Sequence, residues 1–208
     1  MKVIPVPLIL LAATTEVLLI GIRLLADLAN NIVEAITLLL LTSSVYIVAV
    51  YWVLRRNPRE TPGVRVFIVG AALVFRATVF PLYPTLSDDV YRYRWEGKLQ
   101  ASGGNPYQVR PNDPQWAEVR DTTWLNVGSK DFKTIYGPLM ELEERAVYES
   151  VKWLKNEYVQ VFWYKLPAVL AELCTIAAVA LLLRFRHVPP ERLLIYAWSP
   201  VPIVEFWI

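Results

Sequence analysis

Residues 159–183 read VQVFWYKLPAVLAELCTIAAVALLL, with Lys165 and Glu172 as the only charges. A helix needs about 20 mostly apolar residues to cross the hydrocarbon core of a bilayer, and this run meets that length. Working outward, the same pattern recurs at 4–25, 33–54 and 66–86, and a fifth apolar stretch begins near Leu193 and continues to Ile208. The expected class is an all-α membrane protein with about five transmembrane helices. The first stretch is too long for a signal-peptide core, carries Glu16 and Arg23, and lacks a small-x-small cleavage site, so it reads as a span.

Composition agrees. The chain has 208 residues, is 55% hydrophobic and has a mean hydropathy of +0.36, above what a soluble domain shows. A net charge of +2 is too small to point to nucleic acid. Cys174 is the single cysteine, which excludes an intramolecular disulfide. The 8 Trp, 11 Tyr and 15 Pro fit interfacial aromatic belts and broken or capped spans.

Lys and Arg on short loops mark the cytoplasmic side. The link between spans two and three carries Arg55, Arg56, Arg59 and Arg65, around Asn57-Pro58, and the link between spans four and five carries Arg184, Arg186 and Arg192. The link between spans one and two has Asp27 and Glu34 and no basic residue after Arg23. With Lys2 inside, these links agree on a multi-pass protein of the plasma (inner) membrane whose N-terminus is cytoplasmic. Residues 87–158 then form an outer, extracellular or periplasmic, loop of about 70 residues, too long for an idle connection.

That loop opens Ser87-Asp88-Asp89-Val90-Tyr91-Arg92-Tyr93-Arg94-Trp95-Glu96-Gly97. Ser87 suits an N-cap, and two Asp in the first turn suit the helix dipole. Tyr91, Trp95 and Leu99 recur every four residues as an apolar stripe suited to a membrane interface. Asp88 stands four before Arg92, within ion-pair reach. The helix should end at Ser102-Gly103-Gly104, with turns at Asn105-Pro106-Tyr107 and Pro111-Asn112-Asp113-Pro114. Beyond Thr134-Ile135-Tyr136-Gly137-Pro138, a charged stretch with Val147, Val151, Leu154 and Tyr158 predicts an amphipathic helix on the membrane surface, Glu and Lys outward. Asp88-Asp89 has two readings. It decorates a helix start, or it holds a base at the depth of a lipid headgroup.

The run Ser87-Asp88-Asp89-Val90-Tyr91-Arg92-Tyr93, then Trp95-Glu96-Gly97-Lys98-Leu99-Gln100-Ala101 and Gly104-Asn105-Pro106-Tyr107, resembles the first outer loop of GT-C glycosyltransferases. These integral membrane enzymes use polyprenyl-phosphate sugars and are often mannosyltransferases. Trp124-Leu125-Asn126 with Thr134-Ile135-Tyr136-Gly137-Pro138 is similar to the later part of that loop. Trp163-Tyr164-Lys165-Leu166-Pro167 and Tyr196-Ala197-Trp198-Ser199-Pro200 with Glu205 resemble the spans that follow. The departures are Val127 where many relatives have His, a more charged stretch after Pro138, and fewer spans than the family usually has. The resemblance therefore implies a single transmembrane domain over 1–208 that is the N-terminal part of a larger GT-C module.

It also implies a chemistry. A hexose, mannose favoured, passes with inversion from a polyprenyl-phosphate donor to a hydroxyl of a glycan, lipid or protein acceptor in the cell envelope. Inversion needs a base, and Asp88 is the first candidate and Asp89 the second. The departing phosphate needs a cation, for which Arg92, Arg94, Lys98 and Lys165 are candidates. The resemblance adds Tyr91, Trp95, Asn105, Tyr107, Tyr136 and Glu205 as substrate-binding candidates. Asp88-Asp89 could ligate Mg2+ or Mn2+, but two acids without further outer ligands assign no metal site. Arg76, Glu172 and Glu16 fall near the middle of their spans, where charge is costly, and should be paired. The rival readings are a non-catalytic membrane subunit, a lipid-linked-sugar flippase or assembly partner, and a transporter. The last expects paired repeats, and none is visible.

Overall fold

A computed structural model of the chain describes residues 4–56 and 62–208. Lys2, Asn57, Pro58 and Arg59, used for orientation, lie outside them. Among the described residues the chain is helical, without strands. Three helices are long and apolar enough to cross a membrane: Val6–Leu24, Ile32–Arg55 and Glu157–Phe185. The protein is thus an all-α membrane protein. Contacts divide the chain into two compact units, 1–83 with 168–208, and 84–167.

The first unit is a helical bundle. α1 (Val6–Leu24) buries Leu8, Ala12, Thr15, Leu19 and Ile22, spaced by three and four, against α2 (Ile32–Arg56) and α3 (Pro62–Val79). Its other face stays apolar, with Leu10, Val17 and Leu24 exposed, as lipid-facing helices do. α3 stops at Val79, short of the expected Leu86. Pro81 and Pro84 follow, and a proline removes a helical N–H and biases the residue before it away from helix.

The fifth apolar stretch is broken. Among the elements that complete the chain, α7 (Leu166–Phe185) precedes α8 (Leu194–Ala197) and α9 (Pro200–Trp207), with the last two separated at Trp198-Ser199 by Pro200. The carbonyls at the end of α8 would be orphaned there. Each has a donor instead. Trp198 N–H reaches Leu194 at 2.9 Å and Ser199 N–H reaches Tyr196 at 3.1 Å. Tyr46 Oη–H donates to Ile195 at 2.6 Å, and Arg76 Nη1–H donates to Ala197 at 2.7 Å. Arg76 also grips Glu172 with two bonds, Nε at 2.9 Å and Nη2 at 2.5 Å, both side chains fully buried. Of the two acids expected for Arg76, the partner is Glu172; Glu16 accepts from Thr78 Oγ1.

The second unit is built on α4 (Asp89–Ala101), which packs along α5 (Pro138–Val151). α4 ends as its glycines predict. Gly103 turns at φ +88°, and Gly104 N–H bonds the carbonyl of Leu99 at 2.9 Å. The stripe expected at a membrane interface is instead core: Trp95 and Leu99 are buried with Val109 and Val127, and Tyr91, Trp116 and Trp124 pack against them. The charged helix is shorter than expected; Val151 is buried and Glu143 and Glu149 are exposed as expected, but its first half runs the other way. Glu141 and Glu144 are buried against α4, while Leu139 and Leu142 are 80% and 62% exposed. The chain breaks after Val151, and Asn156 Oδ1 caps a new helix, α6 (Glu157–Phe162), by accepting from Tyr158 and Val159 N–H.

Candidate active site

The two acids at the start of α4 are placed differently. Asp88 occupies the N-cap position with near-helical backbone angles, and its side chain makes no capping bond. Ser87 Oγ accepts from Asp89 N–H at 3.2 Å. Both aspartates are exposed. The Asp88 carboxylate lies against Gly128, where an added Cβ would stand 3.1 Å from Asp88 Cγ.

Asp89 instead joins an aromatic group. Its carboxylate is hydrogen-bonded to the Tyr136 side chain, which also bonds Tyr93. The Tyr93 and Tyr136 rings meet edge to face, 5.2 Å between centroids. Burial, then Tyr93 and the Asp89 charge, push the Tyr136 hydroxyl well above its ordinary range, so it stays protonated and donates. Tyr107 Oη–H donates to the Tyr136 carbonyl at 2.9 Å. Asp89 and Tyr93 of α4 thus converge with Tyr107 and Tyr136 from later in the loop. Tyr93 was not foreseen, because its neighbours Tyr91 and Trp95 carried the visible stripe.

The basic residues of α4 are engaged elsewhere. Arg92 does not pair with Asp88. Its Nε donates to Glu96 Oε1 at 2.9 Å, and its two terminal nitrogens reach the carbonyls of Ser129 (3.2 Å) and Phe132 (2.9 Å). That fork pins the loop that begins at Gly128, and so the surface on which Asp88 rests. Arg94 and Lys98 converge on Asp121 Oδ2, at 2.8 and 2.7 Å, and Arg94 also donates to Gln160 Oε1 and Thr123 Oγ1. Burial alone would raise the Asp121 carboxyl, but the bonds from Lys98 and Arg94 hold it down at about 2. Three expected phosphate-binding cations are therefore structural ties. Asp121 was missed, although Asp121-Thr122-Thr123 is a capping pattern and its carboxylate accepts from Thr123 N–H.

The remaining candidates scatter. Tyr91 is half-buried, edge-on to Tyr158 at 6.5 Å. Trp95 is too deeply buried to meet a ligand. Asn105 and Tyr107 line a cavity of about 500 Å3 together with Gln100, Pro106, Glu141 and Arg145. Lys165 is buried with its Nζ 4.3 Å from the Phe162 ring centre. Glu205 is exposed on α9, in the other compact unit.

Glu96 of α4 and Glu141 and Glu144 of α5 form a second acidic group, also unforeseen. All three are buried, and one carboxylate oxygen from each lies within 4.8 Å of the others. Burial pushes Glu96 to about 7 against the pull of Arg92, and burial with the charges of Glu141 and Glu96 pushes Glu144 to about 10. Among the described residues, this is the acidic group with metal-ligand spacing; Asp88-Asp89 is not part of one.

A family model described as "Alpha-(1->6)-mannopyranosyltransferase, N-terminal domain" matches residues 10–206. Neither the curated proteins nor the solved structures give a match.

Proposed function

The chain belongs to the alpha-(1->6)-mannopyranosyltransferase family as its N-terminal domain, and on that premise we propose that it moves mannose from a polyprenyl-phosphate donor to an acceptor hydroxyl with Asp88 as base. Membership makes it a mannosyltransferase, an enzyme of the membrane. The donor, the inversion, the acceptor and the base are our reading.

The observation that carries the base is the contrast along α4. Arg92, Arg94, Glu96 and Lys98 are all spent on internal ion pairs. Asp88 is exposed, makes no capping bond, and is held in place by packing on Gly128. A general base needs that freedom to approach a hydroxyl and that fixity to keep its aim. Attack on the anomeric carbon from the face opposite the leaving phosphate transfers the hydroxyl proton to Asp88 and releases polyprenyl phosphate. Asp89, held by Tyr136, orients the site. Lys165, in the run Trp163-Tyr164-Lys165-Leu166-Pro167 that resembles the family, is assigned to the departing phosphate.

Loop charge supports a site on the outer face of the plasma membrane. Arg65 at the start of α3 and Arg184 at the end of α7 line one cavity of the bundle, together with Pro190 and Leu193. Two basic links on one end of the bundle favour that end as cytoplasmic.

The test is transfer from polyprenyl-phosphate mannose by the purified full-length protein. Asp88→Asn should lower turnover by about 10^2–10^4-fold with melting unchanged. Turnover at the parent rate would remove Asp88 from the role. Absence of polyprenyl phosphate release by the parent protein would favour an assembly partner.

A further inference from the structure

We propose that Glu96, Glu141 and Glu144 bind one hard divalent cation of the Ca2+, Mg2+ or Mn2+ class, which clamps α4 to α5. The proposal is independent of the base assignment and concerns a different set of acids.

Geometry comes first. Two oxygens on opposite sides of Ca2+, each about 2.4 Å away, stand about 4.8 Å apart, and on opposite sides of the smaller Mg2+ about 4.2 Å apart. The three glutamates each offer an oxygen within that 4.8 Å limit. The donors are all carboxylate oxygens, which suits hard cations over zinc or copper. Convergence is forced by the backbone. Gly97 has no Cβ, and its Cα lies against the carbonyl oxygen of Glu144, drawing the two helices together at the cluster.

The second observation is an orphaned side chain. Glu144 is 2% exposed, its carboxylate is aimed into the cluster, and neither of its oxygens has a protein partner among the described residues. Glu141 Oε1 is likewise without one, while its Oε2 accepts from Gln100 Nε2 at 2.9 Å. Buried carboxylates in that state are costly. Among the described residues, Arg92 on Glu96 is the one ion-paired cation of the group. Three carboxylates against one guanidinium leave two negative charges, which one divalent ion balances.

Access and remaining ligands are at hand. Glu141 also lines the cavity of about 500 Å3 beside Gln100 and Tyr107, an entry path for a hydrated ion and its waters. The Thr134 side chain, bonded to Glu96, adds a neutral oxygen beside the cluster.

The experiment uses the full chain purified in detergent and stripped with EDTA. Adding Ca2+, Mg2+ or Mn2+ at a hundredfold excess over Kd should raise the unfolding midpoint by about 5–10 °C. Mn2+ EPR should count one bound ion per chain. Glu144→Gln should abolish both signals, and so should Glu141→Gln, which serves if the first variant does not fold. Asp88→Asn should keep both. No shift with any of the three ions, together with a Glu144→Gln variant as stable as the parent, would overturn the proposal in favour of a cluster that keeps a proton. Loss of the bound ion in Asp88→Asn and its retention in Glu144→Gln would overturn it too.

Discussion

The Cα of Gly97 on α4 lies against the carbonyl oxygen of Glu144 on α5, with the Tyr164 hydroxyl 2.8 Å from where a Cβ would stand. Backbone cannot move aside as a flexible side chain can. Gly97→Ala should therefore destabilise the protein by about 1–3 kcal/mol, seen as a lower unfolding midpoint. Gly70→Ala is the control: nothing lies within 4 Å of its Cβ position, and Ala is the better helix former. Equal melting of the two variants would refute the close approach.

Asp121 should control acid stability of the 84–167 unit. Its folded-state pKa is about 2, below the ordinary carboxylate value. The stability it contributes is full above about pH 4 and is lost as pH falls toward about 2. Asp121→Ala strands Arg94 and Lys98 and should cost about 3–5 kcal/mol at neutral pH. Its loss of stability between pH 4 and pH 2 should be shallower than the parent's, as read by tryptophan fluorescence.

Arg76 and Glu172 are a pair whose halves should not survive apart. Arg76→Met leaves a buried carboxylate and should destabilise by about 3–5 kcal/mol, and it also removes the donor to Ala197. Glu172→Gln keeps the shape and should cost less. Detergent thermal melts of both variants give the order; the reverse order would refute it.

Gly128→Ala should damage transfer without damaging the fold. The new methyl enters the space of the Asp88 carboxylate, and displacing a base by about 1 Å can cost about 10^2 in rate. Parent turnover in this variant would show that the contact does not aim Asp88.

Topology can be checked with Cys174, the native cysteine exposed on α7, first replaced by Ala. A cysteine at Ser102 should then label from outside intact cells and one at Asn57 should not. The opposite pattern would invert the orientation and move the acidic pair to the cytoplasmic face.

Much of this was legible in the sequence, and the parts that were not share a cause. Length and hydropathy located α1, α2 and α7, because a bilayer tests each helix separately and locally. Gly103-Gly104 closed α4 for the same reason, since a C-cap acts within one turn, while the N-cap fell on Asp88 rather than Ser87. Arg76 announced that it needed a partner, but two acids qualified, and only packing placed Glu172 rather than Glu16 against it. The stripe of Tyr91, Trp95 and Leu99 was visible and its destination was not. Periodicity says that a face is apolar and does not say whether lipid or protein covers it.

The acids mark the division most sharply. The sequence by itself determined that this is a helical membrane protein with a long loop opening on Asp88-Asp89, because composition and local pattern suffice for that. Only the tertiary structure decided what each charge does. Asp88 stayed exposed against Gly128, Asp121 gathered Arg94 and Lys98, and Glu141 and Glu144, which look like a solvated face, turned inward to Glu96. The physical reason is that burial and pairing depend on which helix lies alongside, and no spacing within one helix carries that information.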